Sequence, residues 1–271
     1  MKLALIAGEG ALPEIIAERL IARGDPPLVY LMRGDISAFT EKGLEARPLL
    51  RADIADTLRE IAARGARRVM FAGVVPKTLM YRDDMMDDAA RGLLASLASR
   101  DDHSLLGAIV SLVERAGFEV IGYDDILSDL FAAEGHIAGR EPTEAEMDDV
   151  RFGADIAGQI AQLSFGQSVV VSARAVVAVE AMEGTDAAVL RAGELSRSGV
   201  LVKMMKRGQD IRCDIPVVGA KTLRVMAKSR VSCLALQAGA ALILRPEEFG
   251  ETAEKENIAV VGVRRESDCV V

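Results

Sequence analysis

The stretch KLALIAGEGALPEIIAERLIARGDPPLVYLM, Lys2 to Met32, decides the fold. Leu3–Ala7 is a short, uninterrupted apolar run of the length of a buried strand. Gly8-Glu9-Gly10 then turns the chain. Pro13 suits the first turn of a helix, where its missing N–H is not needed, and that helix is expected to run to about Arg23. Leu28–Met32 is a second apolar run. Strand, glycine turn, helix and strand make a βαβ unit, which implies parallel pairing. The alternation continues. Asp53 is placed to cap a helix through Arg64, and Val69–Ala72 reads as a strand. Helical periodicity covers Asp84–Ala98 and His103–Ala116, and Phe118–Gly122 is a further strand. A Rossmann-like parallel-sheet domain is therefore expected over residues 1–133.

The pattern stops at 134–146, where EGHIAGREPTEAE mixes Gly, Pro and charge without periodicity, so this segment is expected to be a linker. A helix is expected over Thr143–Leu163. The runs Ser168–Ser172 and Ala175–Ala181 lie too close together for a crossover helix. Strands are expected at Val200–Met205, Ser232–Leu236, Ala241–Leu244 and Ile258–Val263. Helices fit Asp186–Leu195, Lys221–Lys228 and Glu247–Glu256. Residues 147–271 thus read as a second, mixed α/β (α+β) domain, the catalytic one.

The 271-residue length favours two domains over one. Half the residues are hydrophobic but only 4% are aromatic and Trp is absent, so the core must be aliphatic. A net charge of −8 argues against a nucleic-acid-binding surface, which needs a basic patch. Cys213, Cys233 and Cys269 are too scattered for a disulfide framework or a zinc site and fit a reducing cytoplasm. The apolar start is too short for a signal sequence, and no apolar run reaches the length of a membrane span. Only His103 and His136 are present, so any metal must be held by carboxylates and water, which selects Mg²⁺ or Mn²⁺.

Two stretches carry chemistry. In KMMKRGQDIRCDIPVVG, Lys203–Gly219, an extended Gln209–Ile215 would put Asp210, Arg212 and Asp214 on one face. Two carboxylates on one face suit a hard cation, and the Arg between them suits a phosphate. Pro216 and Val-Val-Gly end that strand. In VAVEAMEGTD, Val177–Asp186, Glu180 and Glu183 bracket a strand end, and Gly184-Thr185-Asp186 opens a helix. Carboxylates at strand ends beside helix N-termini recur at catalytic and metal sites, although Asp186 would equally well complement the helix dipole. Gln167 heads a strand and offers a hydrogen bond. The turn at Gly8 and Gly10 places amides where a phosphate could sit, yet Pro13 stands where the dinucleotide fingerprint has its third glycine. A ligand-free tight turn explains the same residues.

Three segments, GEGALPEIIAERL, AVEAMEGTD and VLVKMMKRGQDIRCDIPVVG, resemble the LpxI-type UDP-2,3-diacylglucosamine pyrophosphatases of Gram-negative lipid A synthesis. The similarity extends over nearly the whole chain. Glu180, Glu183, Gly184, Thr185 and Asp186 match one family motif, and Lys203, Gln209, Asp210, Arg212, Asp214, Pro216 and Gly219 match the other. The chain departs from the pattern at Ser164, at Arg100 and over Gly73–Lys77.

The resemblance implies a two-domain hydrolase with Mg²⁺, acting on a lipid-linked sugar nucleotide, cytoplasmic with peripheral inner-membrane contact, and homodimeric. Residues and resemblance together suggest that Asp210 and Asp214, with Glu180, Glu183 or Asp186, hold the metal, that one carboxylate not used as a ligand is the general base, and that Asp210, Asp214, Asp186, Lys203 and Arg212 make up the catalytic set. Substrate contacts are expected at Gly8, Gly10, Gln167, Thr185 and Gln209. Water would attack the α-phosphorus, giving UMP and 2,3-diacylglucosamine 1-phosphate. The rival readings are a non-enzymatic nucleotide- or lipid-binding regulator, a hydrolase of another sugar nucleotide, and a nicotinamide-dependent oxidoreductase.

Overall fold

The computed structural model describes residues 2–49, 53–74, 88, 91–92, 95, 97, 102–163, 166–205, 210, 212 and 215–264. Contacts divide the chain into two units. The first comprises Met1–Ser128 with Asp210–Asp214, the second Asp129–Gln209 with Ile215–Val271.

The first unit is a five-stranded parallel sheet of β1 (Lys2–Ala7), β2 (Leu28–Leu31), β3 (Ala46–Pro48), β4 (Ala66–Ala72) and β5 (Glu119–Val120), in the order β3-β2-β1-β4-β5. Crossovers between parallel strands need helices. Among the described residues these are α1 (Leu12–Ala22), α2 (Ser37–Thr40), α3 (Ile54–Ala63) and α4 (Asp102–Arg115), and the short α5 (Asp124–Leu127) follows β5. Helix α1 buries Leu12, Ile15, Ile16 and Leu20, one stripe at helical spacing. One face of the sheet packs Ala4, Leu28, Tyr30 and Val69 against Ile61 of α3 and Val110 and Val113 of α4. The Rossmann-like expectation holds. Asp53 occupies the N-cap of α3, but its carboxylate makes no capping bond. Strand β3 was not anticipated, since three residues ending in Pro give no periodicity. The helix expected over Asp84–Ala98 lies mostly outside the described residues.

The second unit contains β6 (Gly135–Ala138), α6 (Glu144–Gln162), β7 (Ser168–Ser172), β8 (Ala175–Val179), α7 (Thr185–Leu195), β9 (Gly199–Lys203), β10 (Val217–Val218), α8 (Ala220–Lys228), β11 (Val231–Gln237), β12 (Leu242–Ile243), α9 (Pro246–Lys255) and β13 (Ala259–Val263). Six strands form a mixed sheet, β6-β13-β11-β9-β7-β8, parallel from β13 to β9 and antiparallel at both ends. Helix α6 covers one face and α7, α8 and α9 the other. With both faces covered, the middles of the central strands are apolar, Val169–Val171, Val200–Val202 and Cys233–Leu236, as doubly buried strands are. In β9, Val200 and Val202 meet α6 while Leu201 joins the opposite core. Gly153 of α6 lies so close to Val202 that an added Cβ would fall 2.7 Å from its methyl carbon, which explains the small residues on that helix. The mixed α/β expectation holds here too.

Two expectations need correction. Residues 134–146 are not a bare linker, because β6 pairs antiparallel with β13 and Thr143 and Glu146 form a capping box on α6. A four-residue edge strand opening on glycine is too short to show alternation. Residues 217–218 do not merely end a strand. They form β10, parallel to β12.

The same segment supplies a half-buried ion pair. Arg140 grips Glu146 through both carboxylate oxygens, at 2.8 and 2.6 Å, and also donates to the carbonyls of Ser232 and Asn257. Burial alone would raise the Glu146 pKa. Hydrogen bonds from Arg140, Ser232 and Thr143 and the Arg140 charge outweigh that and bring it from 4.5 to about 2. A depressed carboxylate contributes stability in full above its unfolded pKa, and that contribution fades as pH falls from 4.5 through about 2. Glu146→Gln is therefore expected to flatten the fall of the urea midpoint across that window. An unchanged pH profile would contradict the assignment.

Candidate active site

The two sequence motifs of the second unit meet at one edge of its sheet. Strands β9, β11 and β13 are parallel, and open α/β sheets bind ligands beyond the carboxyl ends of such strands. Lys203 ends β9, Glu180 directly follows β8, Thr185 opens α7, and Ser168 begins the antiparallel β7 opposite Lys203. The Glu180 amide donates to the Ser168 carbonyl at 3.0 Å, extending the β7–β8 pairing and fixing where the Glu180 side chain starts.

These side chains form a buried polar chain. Lys203 Nζ donates to Thr185 Oγ1 at 2.9 Å, and Thr185 Oγ1 donates to Glu180 Oε1 at 3.0 Å. A hydroxyl has one proton, so Ser168 Oγ, 3.4 Å from Thr185 Oγ1, must be the donor in that contact. Glu180, Lys203 and Ser168 are 8%, 5% and 1% exposed. Glu180 Oε2 is buried with no hydrogen-bond partner among the described residues. An unpaired carboxylate oxygen in such a place is costly unless something fills the position.

Gly166 is what allows Glu180 to sit there. A Cβ on Gly166 would fall 2.0 Å from the Glu180 carbonyl oxygen, closer than any real contact. Gly166→Ala is therefore expected to push Glu180 out of line and cut turnover by about 10²-fold. Wild-type turnover in that variant would show that the placement of Glu180 does not matter.

The neighbouring candidates are arranged differently. Asp186, in the first turn of α7, pairs with Lys221 of α8 at 2.9 Å, and this contact raises the Lys221 pKa. Glu183 pairs with Arg191 at 2.7 Å. Its own backbone amide, with Arg191, holds its carboxyl below the usual range. Gln167 enters through its backbone, its carbonyl accepting the Met204 amide at 2.9 Å. Gln237, which no motif singled out, accepts the Met205 amide at 2.8 Å and fixes the chain just beyond β9. Met204 is fully buried and fills core. Cys233 is no nucleophile, since burial pushes its thiol up to about 12.

In the first unit, Asp210 and Arg212 do share a contact, but not on a strand. Arg212 lies in a turn, and its amide donates to Asp210 Oδ1 at 3.0 Å. The expected extended face is thus corrected for the described residues. An Asp side chain bonding to an amide two residues on offers the backbone an alternative to a strand. Gln209 and Asp214 lie outside the described residues.

The Gly8–Gly10 turn is also differently used. The amides of Gly8 and Glu9 donate to the carbonyls of Ala72 and Val74, each at 2.8 Å. Strand ends β1 and β4 approach so closely that a Cβ on Gly8 would lie 2.5 Å from the Val74 oxygen. Those two amides are spent on the fold. A phosphate here would have to rely on the first turn of α1, where Pro13 contributes no N–H.

The proposed Mg²⁺ ligands fit unevenly. Glu180 offers a buried oxygen with no partner among the described residues. Glu183 is turned toward Arg191. Asp210 already accepts four times, with the Arg212 amide and Nε on Oδ1 and Nε and Nη2 on Oδ2. Those four contacts come from three N–H groups, with Nε shared between the two oxygens, and commit Asp210 to Arg212 in this arrangement. Among the described residues no three His, Cys, Asp or Glu side chains converge.

Two α/β units, each with charged side chains beside the carboxyl ends of parallel strands, define a two-domain α/β protein built for a polar ligand. Residues 2–130 match the LpxI N-terminal domain and residues 133–261 the LpxI C-terminal domain. The chain belongs to the LpxI family. It is 32% identical over 279 residues to UDP-2,3-diacylglucosamine pyrophosphatase LpxI of Caulobacter vibrioides, a similarity covering 97% of each chain. Among the described residues no helix is long and apolar enough to cross a membrane.

Proposed function

We propose that this protein hydrolyses the pyrophosphate of UDP-2,3-diacylglucosamine. Water attacks the α-phosphorus, its oxygen stays on UMP, and 2,3-diacylglucosamine 1-phosphate leaves. The observation that carries this reading is the buried Glu180–Thr185–Lys203 chain, which joins both family motifs at the carboxyl ends of β8 and β9 in the mixed sheet. The name of the Caulobacter vibrioides relative supplies the substrate.

Lys203 sets a fixed positive charge near the transferring phosphoryl group, and such preorganised charge stabilises the transition state more than the ground state. Thr185 holds that ammonium and the Glu180 carboxylate at fixed separation. Glu180 Oε2 is an acceptor ready for a proton or a cation. Mg²⁺, or Mn²⁺, would be held at Glu180, where it would polarise a phosphoryl oxygen. The sequence motif offers Asp210 and Asp214 as proton acceptors; with Asp210 spent on Arg212, the role falls to Asp214, and Gln209 is a substrate contact on the motif. Homodimer formation, a cytoplasmic setting and inner-membrane contact are proposed from the family resemblance.

Incubation with UDP-2,3-diacylglucosamine and Mg²⁺ in ¹⁸O water tests the reaction. Label is expected in UMP. Label in the lipid product would overturn the point of attack, and binding without turnover in excess Mg²⁺ would favour a regulator.

A further inference from the structure

Arg212 was expected to face phosphate, but within the first unit it is committed elsewhere. Its Nε lies 2.9 and 3.1 Å from the two Asp210 oxygens, and Nη2 lies 2.7 Å from Oδ2. Nη1 donates to Glu114 Oε1 at 2.6 Å, from the last turn of α4. The Arg212 stem lies against the chain just past β5, where a Cβ on Gly122 would be 3.3 Å from Arg212 Cγ. The two carboxylates and one guanidinium carry a net charge of −1, a poor surface for a phosphate. They make a good strut, because a planar fork held on two sides fixes orientation as well as distance.

We infer that Glu114 is a positioning residue for the reaction: through Arg212 it holds Asp210 and Arg212 against the end of α4. The inference rests on the proposed function, in which Asp214, two positions on in the sequence, moves a proton. Glu114 has no place in either sequence motif, lies 98 positions from Arg212, and touches no group assigned to the chemistry. Glu114 and Arg212 are 44% and 35% exposed, and exposed ion pairs add little to global stability. Loss of this contact should therefore appear in turnover and not in melting.

The test compares Glu114→Ala, Glu114→Gln and Asp214→Ala in the full chain, measuring kcat, KM and the thermal midpoint. Glu114→Ala is expected to lower kcat at least about tenfold with KM and midpoint unchanged, since small misplacements of reacting groups are costly. Glu114→Gln, which keeps an oxygen acceptor for Arg212, is expected to recover most of that loss. Wild-type kcat in Glu114→Ala beside an inactive Asp214→Ala would overturn the strut alone. Wild-type kcat in Asp214→Ala would overturn the reading of the reaction instead. A lowered midpoint with no rescue by Gln would reduce Glu114 to a structural contact and overturn the inference.

Discussion

Replacing Lys203 by methionine is expected to lower kcat/KM by about 10³-fold, the scale seen when one preorganised group that stabilises transition-state charge is removed. Lys203 is 5% exposed and ends a fully buried strand, so its ammonium is held there by design of the fold and not by chance of the surface. The same change leaves Glu180 buried without the cation that Thr185 links to it, and about 3 kcal/mol of stability should go with it. Lys203→Met combined with Glu180→Gln separates the two effects. The double variant should regain much of the stability, because no uncompensated charge remains, yet stay inactive. Urea denaturation and steady-state kinetics on both proteins check this. Activity returning together with stability would remove the ammonium from the mechanism.

Asp149→Ala is expected to destabilise the second unit by about 3 kcal/mol without touching the polar chain at Glu180. Asp149 is 8% exposed on α6 and accepts the amides of Ala173 and Arg174, at 3.0 and 2.6 Å. Those residues form the two-residue turn between β7 and β8, with φ of +51 and +57. That geometry matches the right-handed twist of a hairpin but favours Asn-Gly, and neither residue here is of that type. The carboxylate holds the turn in place, and hydrogen bonds to a charged group are worth about 1.5–3 kcal/mol each. Arg174→Gly, which removes the left-handed penalty, is expected to stabilise by about 1 kcal/mol. Both are read from urea midpoints. A change below about 1 kcal/mol in Asp149→Ala would show that the turn holds itself.

Much of the fold was legible because burial writes itself into local pattern. Leu3–Ala7 and Val200–Val202 are apolar throughout because each is covered on both faces, and their runs announce strands. The tight spacing of Ser168–Ser172 and Ala175–Val179 allowed only a hairpin. β6 was missed because an edge strand of four residues is half solvated and begins with glycine. Its role depends on β13, more than a hundred residues later, and on Arg140 reaching Glu146 and Asn257.

For the site, residue identity travelled further than residue role. That Glu180, Thr185 and Lys203 belong together was readable as two motifs at strand ends. That Thr185 is the bridge, Ser168 the donor behind it, and Gly166 the clearance for Glu180 was not. Those facts rest on β7, β8 and β9 lying side by side, which local sequence does not encode. Arg212 reversed its meaning for the same reason. Beside Asp210 in sequence it looked like a phosphate ligand, and only folding brings Glu114 of α4 to it.

The amino-acid sequence by itself determined two α/β domains, an aliphatic core and the family. These follow from composition and short-range pattern, which record burial and the residue types a reaction needs. Tertiary structure decided which charges are spent. It turned the Gly8 and Glu9 amides into strand pairing, Arg212 into a strut and Glu183 into a partner of Arg191, and it left one oxygen of Glu180 without a partner among the described residues. A charged group's role depends on what lies within a few ångströms of it, and distance in space is the one quantity a linear sequence does not state.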